Sequence, residues 1–247
     1  MKTIAIANHK GGPGKTTTTF WLARHLADAG RLPLCIDLDP QGNLTRMLGC
    51  AVGTTNGIAD VLLRRTTLRA AMQPTIYGAD MIGTDIKLED ASAAIQGRSP
   101  NHRFLANAIR DSGLGSLGDY TVLIDCAPAA NILTINALVA ADAVVIVLDP
   151  ERDAIDGMHR IIAMVDWLRS EIDHAPAILG AVVTKINQQT VLHRVNLESI
   201  EQEIEVLGRI PYRRGVDADD QIGAAYAPVA AAVWAKLMEV RDAQPVA

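Results

Sequence analysis

A glycine-rich turn between a strand pattern and a helix pattern, inside the first thirty residues, constrains this chain more than any other feature. Residues 3–7 are almost wholly apolar and read as a buried strand that ends at Asn8. His9-Lys10-Gly11-Gly12-Pro13-Gly14-Lys15-Thr16-Thr17 follows, and a helical pattern runs over 18–29. Gly11, Gly12 and Gly14 let the backbone curl until its N–H groups face one anion. The helix that begins near Lys15 adds the positive end of its dipole. Strand, glycine loop and helix in this order are the context in which a loop cradles the phosphates of a nucleotide. In such a cradle Lys15 reaches the β- and γ-phosphates, and the Thr16 hydroxyl is placed to ligate Mg²⁺. Thr17 completes the run. Pro13 fixes one φ and removes one N–H from the loop.

Further apolar runs at 33–36, 120–124, 143–148, 178–183 and 206–210 repeat the strand pattern. Several have no polar break, as expected where helices cover both faces of a sheet. Between them, Met158, Ile161, Ile162, Val165, Leu168 and Ile172 recur at helical spacing. Leu197, Ile200 and Ile204 do the same, with Arg194, Glu198 and Glu201 turned elsewhere. This alternation predicts right-handed βαβ units in an α/β fold. The sheet is mostly parallel and twisted, with helices on both faces, in a single domain over 1–247. Residues from about 50 to 118 lack the alternation and read as short helices and loops packed on that domain.

The net charge is −5 and the pI about 5.7, so no whole-surface basic field exists, and any nucleic-acid contact must come from a local patch. Cys35, Cys50 and Cys126 are far apart and form no CxxC pair, which excludes a readable zinc site or disulfide framework. They read as reduced thiols of a cytosolic protein. The N-terminus runs directly into a strand, so no signal peptide is read. The apolar stretch at 224–235 is shorter than the roughly 20 residues that span a bilayer, and Pro228 interrupts it.

Two carboxylate stations join the glycine loop. The second strand leads into Asp37-Leu38-Asp39-Pro40-Gln41-Gly42-Asn43, and the run 120–124 ends on Asp125. Ligands of open α/β sheets bind at the carboxyl ends of strands, so all three segments face one crevice. The strict Walker A pattern requires glycine where His9 stands. The loop matches instead the deviant form, Lys-Gly-Gly-x-Gly-Lys-Thr-Thr, with Lys10 at its mouth. Asp-Pro-Gln-Gly resembles the Walker A′ element and Tyr120–Asp125 the Walker B strand.

On these motifs the chain resembles the ParA-type partition ATPases of the ParA/MinD superfamily, over nearly its whole length. The resemblance implies a P-loop NTPase fold with ATP and Mg²⁺ as cofactors. It implies that Lys10, Lys15 and Asp39 carry the catalysis, with Asp39 positioning the attacking water. It also implies that Thr16, Asp37 and Asp125 form the Mg²⁺ surroundings. Residues 178–185 and the Ile210-Pro211 pair resemble late strands of the family, so Thr184, Lys185, Ile210 and Pro211 are expected at the base pocket. Thr184-Lys185-Ile186-Asn187 lacks the final carboxylate that would accept both guanine N–H groups, which favours ATP. Family behaviour further implies a homodimer in the ATP state, with Lys10 of each subunit on the partner's phosphates. That dimer is expected to bind double-stranded DNA without sequence preference. A ParB-like centromere-binding or cargo-adaptor protein is expected to stimulate it, with no membrane involved and a cytoplasmic, nucleoid-associated location.

The chain departs from the family at Gln188-Gln189-Thr190, where arginines are common, and at Ala127-Pro128-Ala129-Ala130 after Asp125. Arg194, Arg213 and Arg214 are the remaining candidates for DNA phosphates. A positioner of a protein cargo would share the same core. A MinD-like membrane ATPase would end in a basic amphipathic helix, whereas this C-terminal segment carries Glu239, Asp242 and Pro245.

Overall fold

The computed structural model describes residues 1–53, 56–128, 131–172, 174–212 and 220–243. In chain order the elements are β1 (Lys2–Ala7), α1 (Lys15–Asp28), β2 (Leu32–Asp37), α2 (Asn43–Met47), α3 (Ile58–Leu62), α4 (Leu68–Ala71), β3 (Gln73–Pro74) and β4 (Asp80–Ile82). They continue with α5 (Lys87–Gln96), α6 (Phe104–Asp111), β5 (Tyr120–Asp125), α7 (Ile132–Ala140), β6 (Ala143–Leu148), α8 (Ala154–Ile172), β7 (Ala177–Ile186), α9 (Val191–Glu203), β8 (Val206–Pro211) and α10 (Asp220–Ala243).

All eight strands join one sheet in the order β3-β4-β2-β5-β1-β6-β7-β8. Every pairing is parallel except β3 with β4. The six expected strands are present, so the α/β reading of the sequence holds. The segment from 50 to 118 differs from expectation, because it also contributes β3 and β4 to the sheet. Two- and three-residue strands carry too few residues for a periodicity to register.

Successive strand residues point to opposite faces, and each face buries its own core. Ala5, Ala7, Leu34, Ile36, Val122, Ile124, Val144 and Ile146 pack beneath the helices α3 to α9. Ile4, Ile6, Cys35, Leu123, Val145 and Val147 pack beneath α1 and α10. The apolar face of α10 is thus occupied: Ile222, Tyr226, Val229, Val233 and Leu237 are buried in that second core. The Tyr226 hydroxyl pairs with Thr18 Oγ1 at 3.0 Å, which ties α10 to α1 beside the glycine loop. Among the described residues no helix is long and apolar enough to cross a membrane.

One glycine holds the β6–β7–β8 side together. The β6–β7 register shifts between Val144 and Val145, and Gly180 lies opposite Val145 at φ +142°. A Cβ there would lie 2.6 Å from the Glu205 carbonyl oxygen and 2.9 Å from Leu207 Cγ. Backbone cannot swing aside as a side-chain tip can. Gly180→Ala should therefore destabilise the protein by about 2–3 kcal/mol, combining strain at positive φ with overpacking. Denaturant unfolding with an unchanged m-value measures this, and a midpoint equal to wild type would refute it.

Candidate functional site

The loop after β1 is fixed from several directions. Gly14 is the N-cap of α1 at φ +96°, a left-handed conformation that side chains avoid, and a Cβ there would meet Thr184 Oγ1 at 3.2 Å. Helix α1 starts at Lys15, three residues ahead of its apolar pattern, because Gly14 already turns the chain and the Gly14 carbonyl accepts from Thr18 N at 2.9 Å. Thr184 Oγ1 donates to the Pro13 carbonyl and Lys185 Nζ to the Gly12 carbonyl. The Asn8 amide donates to the Val147 carbonyl, and its oxygen accepts the Lys10 N–H at 2.9 Å. The N–H groups at the start of α1 are left facing the cleft, with no acidic residue in its first turn.

The two lysines of the loop are placed differently. Lys15 is only 5 % exposed, and its Nζ donates to the Lys10 carbonyl at 3.0 Å. Burial lowers its pKa, while the charges of Asp125 and Asp39 favour the ammonium. Lys10 turns away from that cleft. Its Nζ lies 2.8 Å from Asp153 Oδ1 and 3.7 Å from Asp149 Oδ1, and the hydrogen bond to Asp153 holds its ammonium above the usual range.

The acids sit where the strand ends bring them, with Asp37 and Asp125 paired in register across β2 and β5. Asp37 is fully buried. Its Oδ2 accepts from Thr45 N at 3.0 Å and Thr45 Oγ1 at 2.7 Å, and its Oδ1 accepts from Asp39 N at 3.1 Å. Burial raises its pKa to about 6 against those hydrogen bonds. Most of its accepting capacity thus anchors α2 and the turn that carries Asp39. Asp39 faces the cleft, its Oδ1 accepting Gln41 N at 2.9 Å.

Asp125 is the exception. It is 1 % exposed, and neither carboxylate oxygen has a hydrogen-bond partner of good geometry among the described residues. Burial first, and the Asp37 carboxylate second, push its pKa well above the carboxylate range; nearby Thr16 and Lys15 favour the charged form. A buried carboxylate without partners is costly unless something positive meets it. The donor set fits Mg²⁺, which takes oxygen ligands from one or two protein groups and the rest from water and phosphates.

Of these groups, Lys15, Thr16 and Asp39 border a cleft of about 420 Å³ that is lined by Gly11 through Thr17, Asp39, Asn43, Arg46, Met47, Pro128 and Lys185. Beside it, Thr184, Lys185, Ile210 and Pro211 converge with Gly14, Thr17, Tyr212 and Tyr226 around a small hollow of about 60 Å³. The residues expected at the base pocket are therefore gathered next to the phosphate loop. Arg46 was not foreseen. It stands one turn into α2, and a cation so soon after Asp-Pro-Gln-Gly was the available signal. Arg194 is exposed on α9 and borders a separate cleft with Arg209, while Arg213 and Arg214 lie outside the described residues.

Comparison with known proteins bears on the family and the fold. The AAA_31 family model, described as an AAA domain, matches residues 1–178. The chromosome partitioning protein ParA of Caulobacter vibrioides is 35% identical over 197 residues, 78% of this chain and 72% of that protein. The chain belongs to the ParA/Soj family of chromosome-partitioning ATPases. The chromosome-partitioning ATPase Soj of Thermus thermophilus is 34% identical over 198 residues, 78% of this chain and 72% of its own. Among solved structures, cobyrinic acid a,c-diamide synthase of Mycobacterium smegmatis with a bound ATP analog and magnesium superposes with a TM-score of 0.84. It is 29% identical, covering 95% of this chain and 94% of that one. The ParA/Soj membership and the P-loop NTPase fold expected from the motifs both stand.

Proposed function

We propose that this chain, acting as one unit over 1–247, is an Mg²⁺-dependent ATPase that pairs with a second copy on ATP and partitions DNA. As that dimer it binds duplex DNA without sequence preference, and a ParB-like partner stimulates hydrolysis and releases it. The observation that carries this reading is the division between the lysines. Lys15 is enclosed by its own loop, whereas Lys10 is held at the mouth by Asp153 and Asp149 and is not needed by its own cleft. A second cation at the mouth suits the phosphates of a facing subunit, the logic of an arginine finger.

Within one subunit, the loop N–H groups and Lys15 hold the phosphates in place. Thr16 and Asp125 would hold Mg²⁺, with Asp37 behind them fixing the turn. Bound there, Mg²⁺ supplies positive charge to the phosphate oxygens. Asp39 Oδ2, which has no partner among the described residues, is available to accept a proton from a water and orient it. Thr184, Lys185, Ile210 and Pro211 line the place of the base. Arg194, with Arg213 and Arg214, would meet DNA phosphates, two copies per dimer giving linked weak sites. The site of action is then the cytoplasm, on the nucleoid.

Sizing chromatography and duplex-DNA binding, each with and without ATP, test the proposal. Wild type should dimerise and bind DNA only with ATP, with affinity falling steeply with salt. Lys10→Ala should bind ATP as a monomer, neither pairing nor holding DNA. An ATP dimer of Lys10→Ala as tight as wild type would overturn the cross-subunit role. A wild-type dimer that ignores DNA at low salt would overturn the track.

A further inference from the structure

Away from the nucleotide cleft, two hollows of about 330 and 300 Å³ meet at Arg64, Phe104 and Asn107. Val61, Leu68 and Ala108 give the first an apolar floor, and Pro100 lies in the second. Arg64 and Arg98 stand over Phe104, each guanidinium carbon 5.8 Å from the ring centroid. Both arginines are exposed, and among the described residues neither meets a carboxylate within ion-pair distance, although Arg65 pairs with Asp60 and Arg110 with Asp111. Arg64 is also one of the non-glycine residues at positive φ, +59°, directly after α3. That conformation ends the helix: Arg64 N donates to the Val61 carbonyl at 3.0 Å and Arg65 N to the Asp60 carbonyl at 2.8 Å, and the turn sets the Arg64 side chain beside Phe104.

Stacking on a ring uses the flat face of a guanidinium and leaves its N–H edge open to a planar anion. A half-buried aromatic, two arginines and an apolar floor are the composition of a protein-binding surface, and no described segment of the chain covers it. The concave shape fits a thin chain better than the convex backbone of a duplex.

The patch is also tied to α7. Asn136 on α7 is 1 % exposed. Its Oδ1 accepts Leu105 N at 3.3 Å, and its Nδ2 donates to the Asn101 carbonyl at 2.9 Å. It therefore clamps the start of α6, which carries Phe104, to the helix that follows the Asp125 loop.

We propose that the groove over α3 and α6 is a docking site for an extended acidic peptide segment of a partner protein. Its carboxylates engage Arg64 and Arg98, and its apolar side chains lie on the half-buried Phe104 and Ala108. This surface is separate from the nucleotide cleft and from Arg194, and the proposal stands whatever cargo the ATPase moves.

The probe is a fluorescein-labelled twelve-residue peptide rich in glutamate with leucines interspersed, titrated by anisotropy into the full chain; a labelled duplex of random sequence is the second arm. Wild type should bind the peptide, and salt should weaken the binding. Arg64→Ala and Arg98→Ala should each weaken it about tenfold or more, the loss expected when one charge-assisted fork is removed. Affinity for a fluorescent ATP analogue should remain that of wild type, which also reports that each variant has folded. Arg98→Lys, which keeps the charge and the packing, should restore only part of the affinity. No peptide binding by wild type, or binding indifferent to both arginines, overturns the proposal. So does loss of duplex binding in the arginine variants with peptide binding intact, because the surface would then belong to DNA. Failure of ATP-dependent pairing would instead concern the function proposed above and leave this test standing.

Discussion

Lys15→Ala should lose ATP binding while the fold stays intact. The Lys15 ammonium is enclosed by the loop it serves, 5 % exposed and hydrogen-bonded to the Lys10 carbonyl. It is the cation set deepest in the phosphate cradle. Lys10 is engaged with Asp153, Lys185 with the Gly12 carbonyl, and Arg46 stands on the opposite wall. None of these can move into the place of Lys15 without giving up its own partner or crossing the cleft. Each hydrogen bond to a charged group is worth about 1.5–3 kcal/mol, so losing contacts to two phosphates should cost about 3–6 kcal/mol. That is a weakening of roughly 10²–10⁴-fold. A fluorescent ATP analogue measures it, and thermal unfolding of the ligand-free variant checks the fold. Affinity within about threefold of wild type, under 1 kcal/mol, would remove Lys15 from the phosphates.

Asp39→Ala should separate binding from turnover. The turn it occupies is held by Asp37, whose Oδ1 accepts Asp39 N, and by Gly42 N donating to the Asp39 carbonyl at 2.9 Å. Neither bond uses the Asp39 side chain. Alanine removes only the bond from Gln41 N, worth about 1 kcal/mol, so the cleft keeps its shape. What disappears is the only carboxylate among the described residues that line the cleft. Catalysis by a positioned acid–base group is worth about 10²–10⁴-fold, and hydrolysis should fall by about that much while ATP affinity stays near wild type. Analogue binding and single-turnover phosphate release, measured separately, decide the matter. Normal phosphate release would assign the water to another residue.

The sequence announces its long-range order through uninterrupted runs such as Ala143–Leu148, whose six residues are all buried. Six residues long and rich in β-branched side chains, such a run reads as a strand covered on both sides. The glycine loop and the acids after β2 and β5 were legible for a related reason: their chemistry is written in consecutive residues. What escaped was set by distance or brevity. β3 and β4 exist because Pro74 and Asp80 meet across a turn, and so short a pairing carries no pattern. The partner of Lys10 is 143 residues away, and the clamp of Asn136 on Leu105 spans 31. Neither follows from local propensity. The stack of Arg64 and Arg98 on Phe104 joins three segments that looked like irregular loop and short helix. Arg46 was hidden by an ordinary helix position and became visible only when α2 was seen on the cleft wall.

The sheet ends bear on how copies of this chain can gather. On one side the outermost strand is the two-residue β3, in which Pro74 has no N–H to offer a neighbour. On the other it is β8, where Arg209 is exposed and Pro211 closes the strand. Short length, charge and proline at an edge are the features that stop sheets from growing edge to edge. Copies of the chain brought close together would otherwise risk zipping their sheets into insoluble ribbons. These borders direct any self-association away from backbone pairing and toward side-chain surfaces.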